Sequence, residues 1–146
     1  MHMAKTVLLT GATGFVGRHT LYALQESGWN VICCVRNATS VGFECTTVKC
    51  DLNHPEEIIL LKNLYHADAI VHLACHVNMD GSTAEQLFVP NVLATGCISY
   101  LAAAWNARLL FSSSIIVHGT HTEIIEKVSP IKSDTAYGKS KVLGEE

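Results

Sequence analysis

A doubly wound α/β sheet of parallel strands is the fold this chain predicts, on three observations. Short apolar runs alternate with helix-patterned segments along the whole length. The runs are almost continuously apolar, as strands covered on both faces must be. A glycine-rich turn stands between the first run and the first helical segment, where such folds bring backbone close to a ligand.

The chain has 146 residues, 49 % of them hydrophobic and 16 % charged, with a formal net charge of -3. That is the size of one domain with a real core, and too apolar for disorder. Mild acidity without any Lys or Arg run argues against a nucleic-acid partner, which would require a basic stripe. Six cysteines, at 33, 34, 45, 50, 75 and 97, show no C-x-x-C spacing. They read as reduced thiols, mostly buried, and point to the cytoplasm. No signal-peptide layout precedes the first apolar run.

Val7-Leu8-Leu9 is the first strand. After the turn, Val16, Thr20 and Leu24 recur at i, i+4 and i+8 as one helical stripe, and Gly28 stops the helix. Asn30 to Val35 is the second strand, and Thr46 to Cys50 a weaker third, ending at Asp51. Pro55-Glu56-Glu57 opens a helix with Pro and acids in its first turn. Ala69 to Ala74 is the fourth strand and Arg108 to Phe111 the fifth; Thr135 to Glu146 begins another helix. Gln86 to Ala107 carries no charge. Its polar residues and Pro90 mark it as a loop end followed by a mostly buried helix from about Asn91, and not as a membrane span.

The turn Thr10-Gly11-Ala12-Thr13-Gly14-Phe15-Val16-Gly17 spaces its glycines G-x-x-G-x-x-G. Gly11 permits the tight turn, Gly14 lets backbone approach a pyrophosphate, and Gly17 packs the helix close to the strand. The helix N-terminus offers free N–H groups and the positive dipole end to the anion. Thr13 lies within the same turn. An acidic residue ending the second strand would hold a ribose 2′-hydroxyl, but Arg36 stands there. An arginine suits a 2′-phosphate, so NADP is expected in preference to NAD.

Tyr137 and Lys141 are four apart in a helical segment and share a face. A tyrosine acting as acid/base near neutral pH must drop about three units from its usual value near 10, and a neighbouring ammonium supplies part of that. Ser114 leaves the C-terminal end of the fifth strand, where it can hold a substrate oxygen.

Together these motifs resemble the N-terminal part of an extended short-chain dehydrogenase/reductase, the epimerase/dehydratase group. The resemblance rests on Thr10 to Gly17, Asp51-Leu52, Val71-His72-Leu73-Ala74, Asn91-Val92 with Thr95, Phe111 to Ser114 and Tyr137 to Lys141, in family order. It implies a Rossmann-type sheet. Phe15 and Val16 would lie beside the cofactor pyrophosphate, Asp51 and Leu52 beside its adenine, and Leu73, Ala74 and Cys75 beside its ribose. Asn91 would support the site, and Ser114, Tyr137 and Lys141 would be catalytic, with Lys141 lowering the Tyr137 pKa.

The family further implies hydride transfer between a nicotinamide and a secondary alcohol or ketone. The substrate would be a sugar nucleotide or a ketone, and two helices would serve a homodimer. Later strands and a substrate region would lie beyond Glu146. Residues 1–146 then form one NAD(P)-binding domain whose sheet is incomplete at the C-terminal side.

Val117-His118-Gly119 stands where many relatives read Val-Tyr-Gly. His72, Cys75 and His76, and His118 with His121, read as buried or hydrogen-bonded side chains, since zinc needs about four converging ligands. Trp29 and Trp105 read as packing residues. A rival reading is a non-catalytic module that binds the dinucleotide as a structural element or redox sensor.

Overall fold

The computed structural model describes residues 4–37, 44–77, 81–119 and 124–146; His121 falls outside them. Five parallel strands, β1 (Thr6–Thr10), β2 (Asn30–Val35), β3 (Thr46–Lys49), β4 (Ala69–His72) and β5 (Arg108–Phe111), form one sheet in the order β3-β2-β1-β4-β5. The chain winds outward from β1 in one direction through β2 and β3, then restarts on its other side with β4. That reversal leaves a crevice at the C-terminal ends of β1 and β4. Register there sets Thr10 opposite both Cys34 and His72.

Because helices cover both faces, alternate strand residues enter two separate cores. Leu8, Ile32, Ile70, Ile98 and Leu101 pack on one side, and Val7, Leu9, Leu21, Val31 and Val35 on the other. The helices are α1 (Phe15–Glu26), α2 (Pro55–Leu64), α3 (Ala84–Phe88), α4 (Ala94–Trp105) and α5 (Ala136–Glu145).

Two expectations need correction. The buried face of α1 is Gly17 and Leu21 with the half-buried Leu24; Leu24 belongs to the expected stripe, but its first two turns are offset by one residue and Val16 is 60 % exposed. Gly17 causes the shift. A Cβ on it would stand 1.9 Å from the Gly11 carbonyl oxygen, so this glycine lies against the turn and gives no hydrophobic signal.

The helix expected from Asn91 begins earlier, at Ala84. Thr83 and Gln86 form a reciprocal capping box, and a π turn, Val89–Leu93, carries the run past Pro90 into α4. The whole of Ala84–Trp105 is long and apolar enough by length and composition to cross a membrane. Its Leu87, Ala94, Ile98, Leu101 and Trp105 are buried within this fold. Trp105 is packed in one core, as read from the sequence, and Trp29 is half-buried against the other, on the opposite face of the sheet.

Candidate active site

The crevice at the strand ends is a cleft of about 270 Å³. Its floor starts at the glycine turn. Gly11 has φ +75 and an added Cβ would meet the Ala74 backbone nitrogen at 2.8 Å, so only glycine lets the turn touch the end of β4. Gly14 begins α1 with no side-chain cap, and the first turn carries no acid. The helix therefore presents open N–H groups and its positive end, the requirement for an anion.

Gly11, Thr13, Gly14, Arg36, Asp51, Leu52, Leu73, Ala74 and Cys75, residues expected to meet a cofactor, all line the cleft. Thr10, Cys34, Val35, Cys50, Asn53, His76 and Pro90 line it too. Most of these were not legible as site residues, since an apolar residue ending a buried strand looks like core. Phe15 (84 % exposed) and Val16 stand outside the cleft at the start of α1, and Gly17 lies beneath it.

At the outer end, Asp51 accepts from the Asn53 backbone N–H at 3.0 Å and from its side chain at 2.9 Å. Those bonds, helped by the Arg36 guanidinium, hold the carboxyl below its ordinary range. On the cleft wall a hydrogen bond between the Cys34 and Cys50 thiols pushes Cys34 up and Cys50 down.

A buried polar chain runs behind the cleft. Thr95 spends its single hydroxyl proton on the Asn91 carbonyl at 2.7 Å, so the His72 Nε2–H must donate to Thr95 at 3.1 Å. His72 Nδ1 then accepts from the Thr10 hydroxyl at 2.7 Å, and Thr10 accepts from the Ala74 N–H at 3.1 Å. With its one proton on Nε2 the imidazole is neutral. Burial, with the Lys141 charge adding, lowers His72 to about 4.

Asn91 does not line the cleft. It is 2 % exposed, accepts from the His76 N–H at 2.7 Å, and donates to the His76 carbonyl at 2.9 Å and to Ser140 at 3.1 Å. Its amide ties the loop after β4 to α5, a positioning role with no reach into the cleft.

The helix α5 is capped by Thr135, which accepts from the Gly138 N–H at 3.0 Å. Tyr137 and Lys141 sit one turn apart on it. The Tyr137 hydroxyl lies 3.8 Å from the Cys75 thiol on the cleft wall, with Ser114 near enough to favour its ionised form. The three expected catalytic side chains thus converge next to the cleft without lining it.

The electrostatics differ from expectation. Burial first, then the charge and hydrogen bond of Cys75, raise Tyr137 to about 12, with Ser114 pulling the other way. Lys141, 2 % exposed, turns its ammonium to the Ser112 carbonyl at 2.8 Å and stands 4.7 Å from the Phe111 ring centroid. Burial lowers its pKa, while Cys75 opposes that shift. Cys75, which the sequence suggested only for the ribose, also meets both α5 side chains. Among the described residues no three His, Cys, Asp or Glu side chains converge as a metal site.

Comparison with known proteins places this arrangement. A family model described as the NAD dependent epimerase/dehydratase family matches residues 7–146. UDP-glucose 4-epimerase 2 of Arabidopsis thaliana is 27 % identical over 99 % of this chain and 46 % of its own length. Methionine adenosyltransferase 2 subunit beta of Rattus norvegicus is 32 % identical over 97 % of this chain and 42 % of its own.

Among solved structures, a short-chain dehydrogenase/reductase superfamily protein from Agrobacterium tumefaciens with bound NAD superposes with a TM-score of 0.80. It is 25 % identical, covering 96 % of this chain and 43 % of that one. The chain spans less than half the length of these relatives. With its family match running through the glycine turn, the strand ends and the Tyr137 helix, the chain belongs to the NAD dependent epimerase/dehydratase family.

Proposed function

We propose that the chain is the dinucleotide-binding half of an enzyme that oxidises or reduces a secondary alcohol or ketone, with a sugar nucleotide as substrate. The observation that carries this is the juxtaposition of an uncapped, acid-free helix N-terminus in a cleft with the Ser114, Tyr137 and Lys141 cluster beside it. The names of the epimerase relatives support the substrate class.

The glycine turn from Gly11 to Gly14 and the N–H groups of α1 fit a pyrophosphate, and Arg36 with Asp51 fits the adenosine end. When bound, the dinucleotide supplies the hydride acceptor or donor. The protein's part is proton handling and orientation. Ser114 holds the substrate oxygen, and Tyr137 gives or takes its proton. Lys141, anchored on the Ser112 carbonyl, supplies positive charge to that corner of the site. In its raised state Tyr137 is protonated at neutral pH, the state that serves ketone reduction.

The cofactor choice turns on Arg36. The bound NAD of the Agrobacterium structure supports NAD; the guanidinium lining the cleft favours a 2′-phosphate and therefore NADP. Titrating the chain with NADPH and then NADH, reading cofactor fluorescence and thermal midpoint, tests both levels. Binding at 100 times Kd adds about 2.7 kcal/mol of stability. Both cofactors should raise the midpoint, NADPH more, and Arg36→Ala should abolish the difference. A folded chain unmoved by either cofactor would overturn the proposal.

A second reading, a dinucleotide-binding subunit without turnover, draws support from the raised Tyr137 and from the relatives named as a subunit of methionine adenosyltransferase 2. Tyr137→Phe separates the two, because only an enzyme depends on that hydroxyl.

A further inference from the structure

Four of the six cysteines meet in two pairs where β2 runs beside β3. Cys33 and Cys34 are neighbours on β2 and point to opposite faces of the sheet, each into its own core. Cys34 meets Cys50 on the wall of the cofactor cleft. Cys33 meets Cys45, with the sulfur atoms 3.2 Å apart.

The second pair has no part in the chemistry proposed above. Its surroundings differ as well. Cys33 is fully buried, whereas Cys45 is half-buried and lines a separate cavity of about 560 Å³. Thr6, Asn30 and Thr46, which begin β1, β2 and β3, line this cavity, so it opens at the end of the sheet opposite the cofactor cleft.

We propose that Cys33 and Cys45 form a reversible disulfide, made by hydrogen peroxide reaching Cys45 through this cavity. The sulfur atoms need to close by about 1.2 Å to reach a bond of about 2.05 Å. In the first step peroxide transfers one oxygen to the Cys45 sulfur, giving a sulfenic acid and water. In the second, the Cys33 sulfur bonds to the Cys45 sulfur; the sulfenic hydroxyl leaves and takes the Cys33 proton as a second water. Two thiols are oxidised by two electrons and one peroxide is reduced.

The order follows from the environments. Burial, then the hydrogen bond and charge of Cys45, raises Cys33 to about 12. It therefore stays a protonated thiol until its neighbour has been oxidised, while Cys45 has the exposure to meet the oxidant.

The folded chain, fully reduced at the start, is treated with a small excess of hydrogen peroxide. It is then denatured in acid, its remaining thiols are blocked with N-ethylmaleimide, and the peptides are mapped by mass spectrometry. The expected product is one peptide pair linked through Cys33 and Cys45, with Cys34, Cys50, Cys75 and Cys97 blocked. Dithiothreitol before blocking restores label at all six cysteines. Cys45→Ser should abolish the link and leave Cys33 fully blocked; because the linked peptide is read in the wild-type chain, the test survives a variant that fails to fold. Cys45 recovered as sulfinic acid with Cys33 blocked, oxidation first at another cysteine, or six blocked thiols after treatment would each overturn the proposal.

Discussion

The Cys75 thiol stands 3.8 Å from the Tyr137 hydroxyl and is near enough to Lys141 to favour its charged form. A third proton-bearing group therefore sits beside the tyrosine and the lysine. Its charge and hydrogen bond are, after burial, what holds Tyr137 near 12. Cys75→Ala should lower the Tyr137 pKa by about one unit. The tyrosine ring-carbon NMR shift, followed through the alkaline range in which the chain stays folded, reads this directly. An unchanged titration would assign the whole shift to burial.

On the proposed acid/base role, replacing Tyr137 by Phe should cut turnover of the full-length protein by about 10²–10⁴-fold, the usual worth of a positioned acid/base. Cofactor affinity, measured by fluorescence titration, should be retained, since the hydroxyl faces Cys75 and Ser114 and not the glycine turn.

His72 makes stability depend on pH in a defined window. Its folded pKa of about 4 lies below the ordinary 6.5, so the unfolded chain binds more protons between those values. The stabilisation is complete above pH 6.5 and falls away as pH drops toward 4. The loss should be about 3 kcal/mol, read as urea midpoints across that range. His72→Gln should flatten this part of the profile.

Gly17→Ala places a methyl group 1.9 Å from the Gly11 carbonyl oxygen. Backbone does not yield as a flexible side chain would, so the turn or α1 must shift. The expected cost is about 2–3 kcal/mol, with weakened cofactor binding, measured by denaturant unfolding and cofactor titration. Gly96→Ala, where an added Cβ meets nothing within 4 Å, is the matched control.

Much of this was legible in the sequence because doubly covered strands advertise themselves. Each of the runs at Val7, Val31 and Ile70 is such a strand, while the run at Leu109 is a strand that leaves Leu110 55 % exposed, and the glycine turn fell in the one place that gives its spacing meaning. Tyr137 and Lys141 could be paired by helical arithmetic alone. What stayed hidden depended on tertiary approach. Gly17 concealed the buried face of α1, having no side chain to report it. Pro90 looked like a break because a π turn that absorbs it leaves no periodic trace. The link from Asn91 to Ser140, and the meeting of Cys34 with Cys50 on the cleft wall, join residues whose neighbours in sequence give no hint of each other.

The polar chain behind the cleft also bears on the order in which the molecule is made. Thr10 waits 62 residues for His72, and Asn91 waits a further 49 for Ser140. A nascent chain emerging from the ribosome can complete the β1–β2 pair early and the Thr10–His72–Thr95 links once Thr95 has emerged, but Asn91 finds Ser140 only after α5 has been synthesised and docked. Contacts of such long sequence separation form slowly. Consolidation of the site is therefore a late event in folding, and until then the half-built cleft exposes groups that invite chaperone capture.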